Sequence, residues 1–277
     1  QQAAILAGTS VYDATADLVD FMAACAARKK IGITPGGKIC YQTLALPAGF
    51  PGMRGEGSQA TLFQHIAGTA GASVYVPTGR INYPVFENLF FQGYGTAAET
   101  TGFDLTGISY GCFRNVKISG FYADNWTGTG YIVTAGADRS SIVNAFYDCI
   151  GGSSVTGKGL SLYAPLVAYN TASLVGWAFF GGYFVANAGG QLYARFGENI
   201  SFNDTKIEAT TGGLIDIDAC NNFNFRGYAE SRSNDMWITI GSTAENYSIV
   251  PTRWSYPLWH MINPASVLGK GRIELAG

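Results

Sequence analysis

Histidine is almost missing from this sequence: His65 and His260 are its only two among 277 residues. Neither lies in a Cys/His cluster with metal-ligand spacing. Zinc binding and Ser/His/Asp or Cys/His nucleophile chemistry are therefore not expected. No phosphate loop or nucleotide fingerprint occurs, so no metal and no cofactor is expected. Charge is also scarce. Charged residues make up 13% and the formal net charge is −2. Lys and Arg are scattered without a basic stripe, which gives no reason to expect nucleic acid. Hydrophobic residues reach 47%, yet no apolar run approaches the roughly 18 residues that a membrane span needs. Part of this apolar surface is expected to be buried between subunits. The five cysteines (Cys25, Cys40, Cys112, Cys149, Cys220) form no Cys-x-x-Cys pair and are odd in number. They read as core thiols of a protein that folds in a reducing compartment. The opening QQAAILAGTS has no basic start and no long apolar run, so it is not read as a secretory signal. Sequons at Asn125, Asn199, Asn203 and Asn246 are taken as chance.

What the sequence has is a repeat. Asn88-Leu-Phe-Phe, Asn115-Val-Lys-Ile, Asn144-Ala-Phe-Tyr, Asn199-Ile-Ser-Phe, Asn222-Phe-Asn-Phe and Asn246-Tyr-Ser-Ile align without gaps, and Gly176-Trp-Ala-Phe joins them without the Asn. Spacings of about 20 to 50 residues signal a repeat architecture. Strand alternation puts Leu89, Val116, Ala145, Trp177, Ile200, Phe223 and Tyr247 in one inward column. It puts Phe91, Ile118, Tyr147, Phe179, Phe202, Phe225 and Ile249 in a second. A second strand recurs as GFDLTG at Gly102, GYIVTA at Gly130, GLSLYA at Gly159, GLIDID at Gly213 and MWITIG at Met236. Short strands with no helical pattern between them suit a parallel β-solenoid, whose turns bury their apolar faces only by stacking. The aligned Asn residues are either a ladder of stacked amides or plain turn residues.

The chain divides into an N-terminal cap (1–63), a β-helix of about seven turns (64–250) and a closing segment (251–277). Residues 13–30 form the one amphipathic helix, with Leu18, Phe21, Met22 and Cys25 on one face. Asp13 or Thr15 suits its start, and Arg28, Lys29 and Lys30 suit its negative end. Residues 64–84 are expected to form an irregular first turn.

The cap stretch, from DATADLVDFMAACAARKK through the Pro35-Gly-Gly turn to Gly55-Glu56-Gly57 and Thr61, resembles the N-terminal part of the pectate-lyase-like right-handed β-helix superfamily. In particular it is similar to bacteriophage tailspike and depolymerase proteins. The resemblance covers roughly residues 12–63 by motif. It implies an all-β right-handed parallel β-helix with an N-terminal capping α-helix, which shields the first turn from edge pairing. It further implies a homotrimer, a place in the phage tail beside other virion tail proteins, an extracellular location and a bacterial surface polysaccharide as partner.

Outward positions carry the candidate chemistry. Phe90, Phe146 and Phe180 read as exposed, and a large apolar patch usually marks an interface. Asp216 and Asp218 point outward because Ile215 and Ile217 point inward, and two such carboxylates are roughly 7 Å apart. Glu208 and Glu230 lie about one turn apart. Glycoside hydrolysis needs two flanking carboxyl groups, one of them an acid of raised pKa. The candidate catalytic residues are therefore Glu208, Glu230, Asp216 and Asp218. Trp237, Arg232, Asp235 and Arg226 are the candidate substrate-binding residues. No Gly-His-Gly is present, and Asn203-Asp204-Thr205 has the wrong order for a polygalacturonase. The expected function is a tailspike-type receptor-binding protein that binds and hydrolyses a bacterial surface polysaccharide. The alternatives are a non-catalytic β-helical adhesin or a secreted polysaccharide lyase.

Overall fold

The computed structural model describes residues 12–57, 60–129, 133–134, 137–139, 141–163, 174–209, 213–231, 238–254 and 270–274. The chain winds as a right-handed parallel β-helix. One large bent sheet gathers Val85–Gln92, Cys112–Ser119, Gly197–Ala209, Asn221–Ser231 and Glu245–Trp254 with their neighbours. A second sheet stacks Gly71–Tyr75, Glu99–Asp104, Asp124–Thr129, Lys158–Tyr163, Gly190–Arg195, Ile215–Asp218 and Ile238–Ile240. Pairing within both is parallel. Helix α1 (Thr15–Arg28) caps the N-terminal end and buries Leu18, Met22 and Cys25. Asp13 Oδ1 accepts the Thr15 N–H at 3.0 Å, and Lys29 ends the helix in a left-handed conformation. The Gly-rich corner closes on Thr61, whose buried hydroxyl accepts the Glu56 N–H at 3.0 Å and donates to the Pro35 carbonyl at 3.3 Å.

Five successive coils turn two left-handed corners on the bent sheet, five residues apart: Tyr83 and Asn88, Tyr110 and Asn115, Val143 and Asp148, Gly176 and Gly181, Asn199 and Asp204. Register stacks the first of each pair in one column and the second in another. The aligned Asn residues therefore belong to both corners. Asn115 Nδ2 donates to Asn88 Oδ1 at 2.9 Å at the second corner, and Asn222 Nδ2 donates to Asn199 Oδ1 at 3.0 Å at the first. Asn144 belongs to neither.

This corrects the inward columns. Tyr147 pairs with Arg114 and Phe180, not with Ile118 and Phe179. It is 37% exposed, while Phe146 is 1% exposed. The continuous interior stack is Phe86, Phe113, Phe146, Phe179 and Phe202, with successive ring centroids 5.2, 4.7, 4.4 and 4.5 Å apart. Phe91 and Ile118 belong to a different column, which runs from Phe63 through them and Gly151 to Phe184 and Ile207. The second strand expected at Gly130 is instead Asp124–Thr129, with Trp126 stacked on Phe103 at 5.6 Å. Residues 64–84 are also more regular than expected, since they supply strands to both sheets. In the closing segment Lys270–Ile273 adds one more parallel strand beside Glu245–Trp254. The Asn125 sequon is fully buried and donates to Asn187 Oδ1 at 2.8 Å. All five cysteines are free, and burial pushes the Cys149 and Cys220 thiols up to about 12.

A buried histidine–glutamate hydrogen bond sits in the early coils. His65 Nδ1 donates to Glu99 Oε1 at 2.9 Å, and both side chains are wholly buried. Burial alone would push the Glu99 carboxyl up. The His65 hydrogen bond and the Tyr94 and Gly95 N–H groups outweigh it and hold the pKa below its ordinary value.

Two predictions follow from this packing. Phe146→Ala is expected to cost about 3–5 kcal/mol in denaturant unfolding, and Tyr147→Ala roughly 1 kcal/mol or less. The reverse order would restore the column read from sequence. Because the folded pKa of Glu99 is depressed, its contribution is present above the unfolded value of about 4.3 and lost as pH falls through the folded value. Glu99→Gln should therefore be less stable than the parent near pH 7, with the gap closing in acid. A gap that stays constant from neutral to acid pH would contradict this assignment.

Candidate active site

The second sheet presents Asp216 and Asp218 on its outer face because Ile215 and Ile217 fill the core beneath. Register places Tyr193 under Asp216 and Arg195 under Asp218, with Ser161 and Tyr163 one coil further back. Thr239 stands above Asp216. Arg195 Nε lies 3.2 Å from Asp218 Oδ2. This is a charge contact rather than an aligned hydrogen bond, since Arg195 Nε has no hydrogen-bond partner among the described residues. Thr243 donates to Asp218 Oδ1 at 3.4 Å. Gly241 closes tightly over the same oxygen: a Cβ there would meet it at 2.2 Å. The two carboxylates thus differ. Asp218 is fixed and charge-compensated. The Asp216 carboxyl is pushed above its ordinary value, first by burial and further by the Asp218 charge, with Lys158 opposing. The Lys158 ammonium sits 4.9 Å from the Tyr193 ring centroid.

Glu208 and Glu230 pair in direct register, as the one-turn spacing implied, but on the bent sheet. Their surroundings are a closed ladder. Lys206 Nζ lies 3.1 Å from Glu208 Oε2 and 3.9 Å from Glu230 Oε2. The same ammonium is held between the Tyr183 and Tyr228 rings, at 4.7 and 5.1 Å from their centroids. Tyr183 Oη donates to Glu208 Oε2, and Tyr228 Oη donates to Glu230 Oε2 at 2.7 Å. Glu208 is only 8% exposed. Two stacked carboxylates are compensated here by one lysine and two phenols, an arrangement suited to holding coils together.

Arg226 is on the bent sheet as well, exposed in an open groove of about 630 Å³ with Asn203, Asn224, Ser248 and Thr252. Trp237, Arg232 and Asp235 lie outside the described residues. The structure therefore brings Asp216 together with Asp218 and Glu208 together with Glu230, on different sheets, and sets Arg226 beside neither. Sequence reading missed Lys158, Tyr163, Tyr193 and Arg195. The available signal was GQLYAR at Gly190, an unrecognised copy of the second strand in which Leu192 and Ala194 point inward and Tyr193 and Arg195 outward. Among the described residues, no group of three or more His, Cys, Asp or Glu side chains is arranged to hold a metal ion.

No protein-family model and no curated protein matches the chain. Solved structures do. Tailspike protein 2 of Escherichia coli O157:H7 bacteriophage CAB120 matches 87% of this chain with a TM-score of 0.68 at 12% identity. The ORF18 protein of Geobacillus virus E2 matches 95% with a TM-score of 0.58, also at 12% identity. The chain spans 32% and 58% of those two proteins. At this identity the likeness establishes the fold alone, a parallel β-helix.

If the glutamate ladder is structural, Lys206 and Glu208 are energetically coupled. A double-mutant cycle with Lys206→Met and Glu208→Gln is expected to return a coupling of about 1 kcal/mol or more in unfolding free energy. Strict additivity would remove the ladder as a source of stability.

Proposed function

We propose that this chain is a tailspike-type receptor-binding protein that binds a bacterial surface polysaccharide and hydrolyses it on the outer face of the second sheet. The observation that carries the reading is the unlike pair Asp216 and Asp218. They stand two residues apart on one rigid strand, and burial holds a proton on Asp216 more firmly than on a free carboxyl. Their backbone positions are roughly 7 Å apart, and an inverting pair needs its carboxyl groups about 6.5–9.5 Å apart to leave room for a water between acid and base. Asp216 then protonates the leaving glycosidic oxygen, and Asp218 takes the proton of the attacking water, with inversion at the anomeric carbon. Tyr193 and Tyr163 offer aromatic surface for a sugar ring along the same face. By the same reading the protein is a homotrimer in a phage tail, in contact with other tail proteins and exposed outside the host cell. The apolar patch read as its trimer face is smaller than expected, because Phe146 turns into the core and Phe90 is half-buried under Lys117 at 4.4 Å.

A specific observation favours a second reading, a non-catalytic adhesin of the same fold. Arg195 compensates the carboxylate that hydrolysis needs as a base. Asp216→Asn and Asp218→Asn separate the two. The hydrolase reading expects each to lower release of reducing ends from the recognised polysaccharide by about 100-fold or more, with binding retained. Polymer that is bound by the parent protein and never shortened leaves the adhesin. Because Asp216 must be protonated to act, activity is lost as pH rises through its raised pKa. Lys158→Met removes the charge that holds that value down, so the alkaline limb is expected to move to higher pH. A limb that does not move would exclude Asp216 as the acid.

A further inference from the structure

The outer face of the bent sheet carries a feature that the proposed hydrolysis does not use. Between the two corners, register stacks Arg114, Tyr147, Phe180, Asn203 and Arg226 in successive coils. Tyr147 and Phe180 are stacked on each other with centroids 5.1 Å apart, and they remain 37% and 40% exposed. The Arg114 guanidinium lies 5.4 Å from the Tyr147 centroid, on the side of the preceding coil. On the other side the column runs into the groove of about 630 Å³ that holds Asn203, Asn224, Arg226, Ser248 and Thr252. Arg226 is exposed and has no carboxylate partner among the described residues, and Glu274 at the groove's edge is engaged by Arg272.

We propose that this column is a second saccharide-binding site, separate from the Asp216/Asp218 face, which takes an acidic glycan segment lying along the helix axis. The proposal rests on the polysaccharide reading above and adds a location and a charge class to it. An exposed aromatic pair offers an apolar platform to the C–H face of a pyranose. Asn203, Asn224, Ser248 and Thr252 supply amide and hydroxyl groups that can exchange hydrogen bonds with ring hydroxyls. The Arg226 guanidinium, without a carboxylate partner among the described residues, is a planar fork that matches a carboxylate with two parallel N–H donors. A neutral glycan would leave that charge without a partner, so charge complementarity favours uronate or another carboxylated sugar. All these groups sit on paired strands, so they are held in place before ligand arrives.

The test uses the whole chain against immobilised bacterial capsular and O-antigen polysaccharides, each in native and carboxyl-reduced form. The expected result is binding to an acidic polymer that is lost on carboxyl reduction. Arg226→Met and Phe180→Ala should each weaken it by about tenfold or more, with melting temperature unchanged. Val19→Ala, on the exposed side of α1 and away from both sites, should bind as the parent does. If Arg226→Met and Phe180→Ala leave binding unchanged while Asp216→Asn abolishes cleavage, the second site is wrong and the hydrolase reading stands. If no polysaccharide binds in either form, both fall. If Phe180→Ala instead alters the oligomeric state and not glycan binding, the column is a contact between copies of the chain and the proposal is overturned.

Discussion

Parallel in-register pairing is the constraint on which the rest of this structure depends. Strands in adjacent coils sit roughly 4.8 Å apart, and each side chain is placed over the one in the coil before it. A residue therefore stacks on its counterpart whatever its chemistry. Flat rings suit this spacing. Phe113, Phe146, Phe179 and Phe202 pack with interplanar angles of 7°, 10° and 9°. Each such ring contributes about 1.5–3 kcal/mol by burial, and stacked pairs add about 0.5–1.5 kcal/mol. Amides suit it too, as the Asn88–Asn115 and Asn199–Asn222 bonds show. Like charges do not. Where Glu208 stacks on Glu230, the structure places Lys206 between them and a phenol against each.

The same constraint explains how far the fold could be read from sequence. Repetition of an Asn followed by alternating apolar residues was visible because stacking selects similar residues at equivalent positions. The exact register was not. Both corners of a coil use one local pattern, a left-handed residue followed by in, out, in, out. Asn88 and Asn199 therefore look alike although they belong to different corners. Asn144 completed the apparent repeat by chance. Its buried amide instead donates to the Ile108 carbonyl at 2.9 Å. A one-residue slip exchanges the faces of a strand, and this is how Tyr147 came to be assigned inward and Phe146 outward. The second strand at Asp124 was hidden for a different reason: DNWTGT carries one large apolar residue, Trp126, which does the filling that several smaller residues do elsewhere.

Of the candidate site, the outward direction of Asp216 and Asp218 and the register of Glu208 with Glu230 were readable from alternation and spacing. The partners were not, because they come from coils on either side: Lys206 lies on the Glu208 strand but compensates both glutamates, and Arg195 reaches Asp218 from the coil before. A linear sequence shows which residues share a strand. It does not show which columns adjoin until the corner register is known.

The two acidic pairs are placed differently and are surrounded differently: Glu208 and Glu230 stack across coils, whereas Asp216 and Asp218 stand two residues apart on one strand. Each glutamate of the stacked pair accepts a phenol hydroxyl and lies within ion-pair distance of one ammonium. Glu208, almost wholly buried, presents little carboxylate surface to a substrate. Asp216 is also withdrawn from water, but beyond burial its influences are the opposing charges of Lys158 and Asp218, with no direct donor among the described residues. Burial without a compensating donor favours the neutral acid, which is the direction in which a general acid has to be tuned. On a scaffold that fixes backbone geometry in every coil, the adjacent residues decide how each carboxyl is compensated: Lys206 and a phenol at each glutamate, Arg195 at Asp218, and at Asp216 the charge of Lys158 set against burial and Asp218.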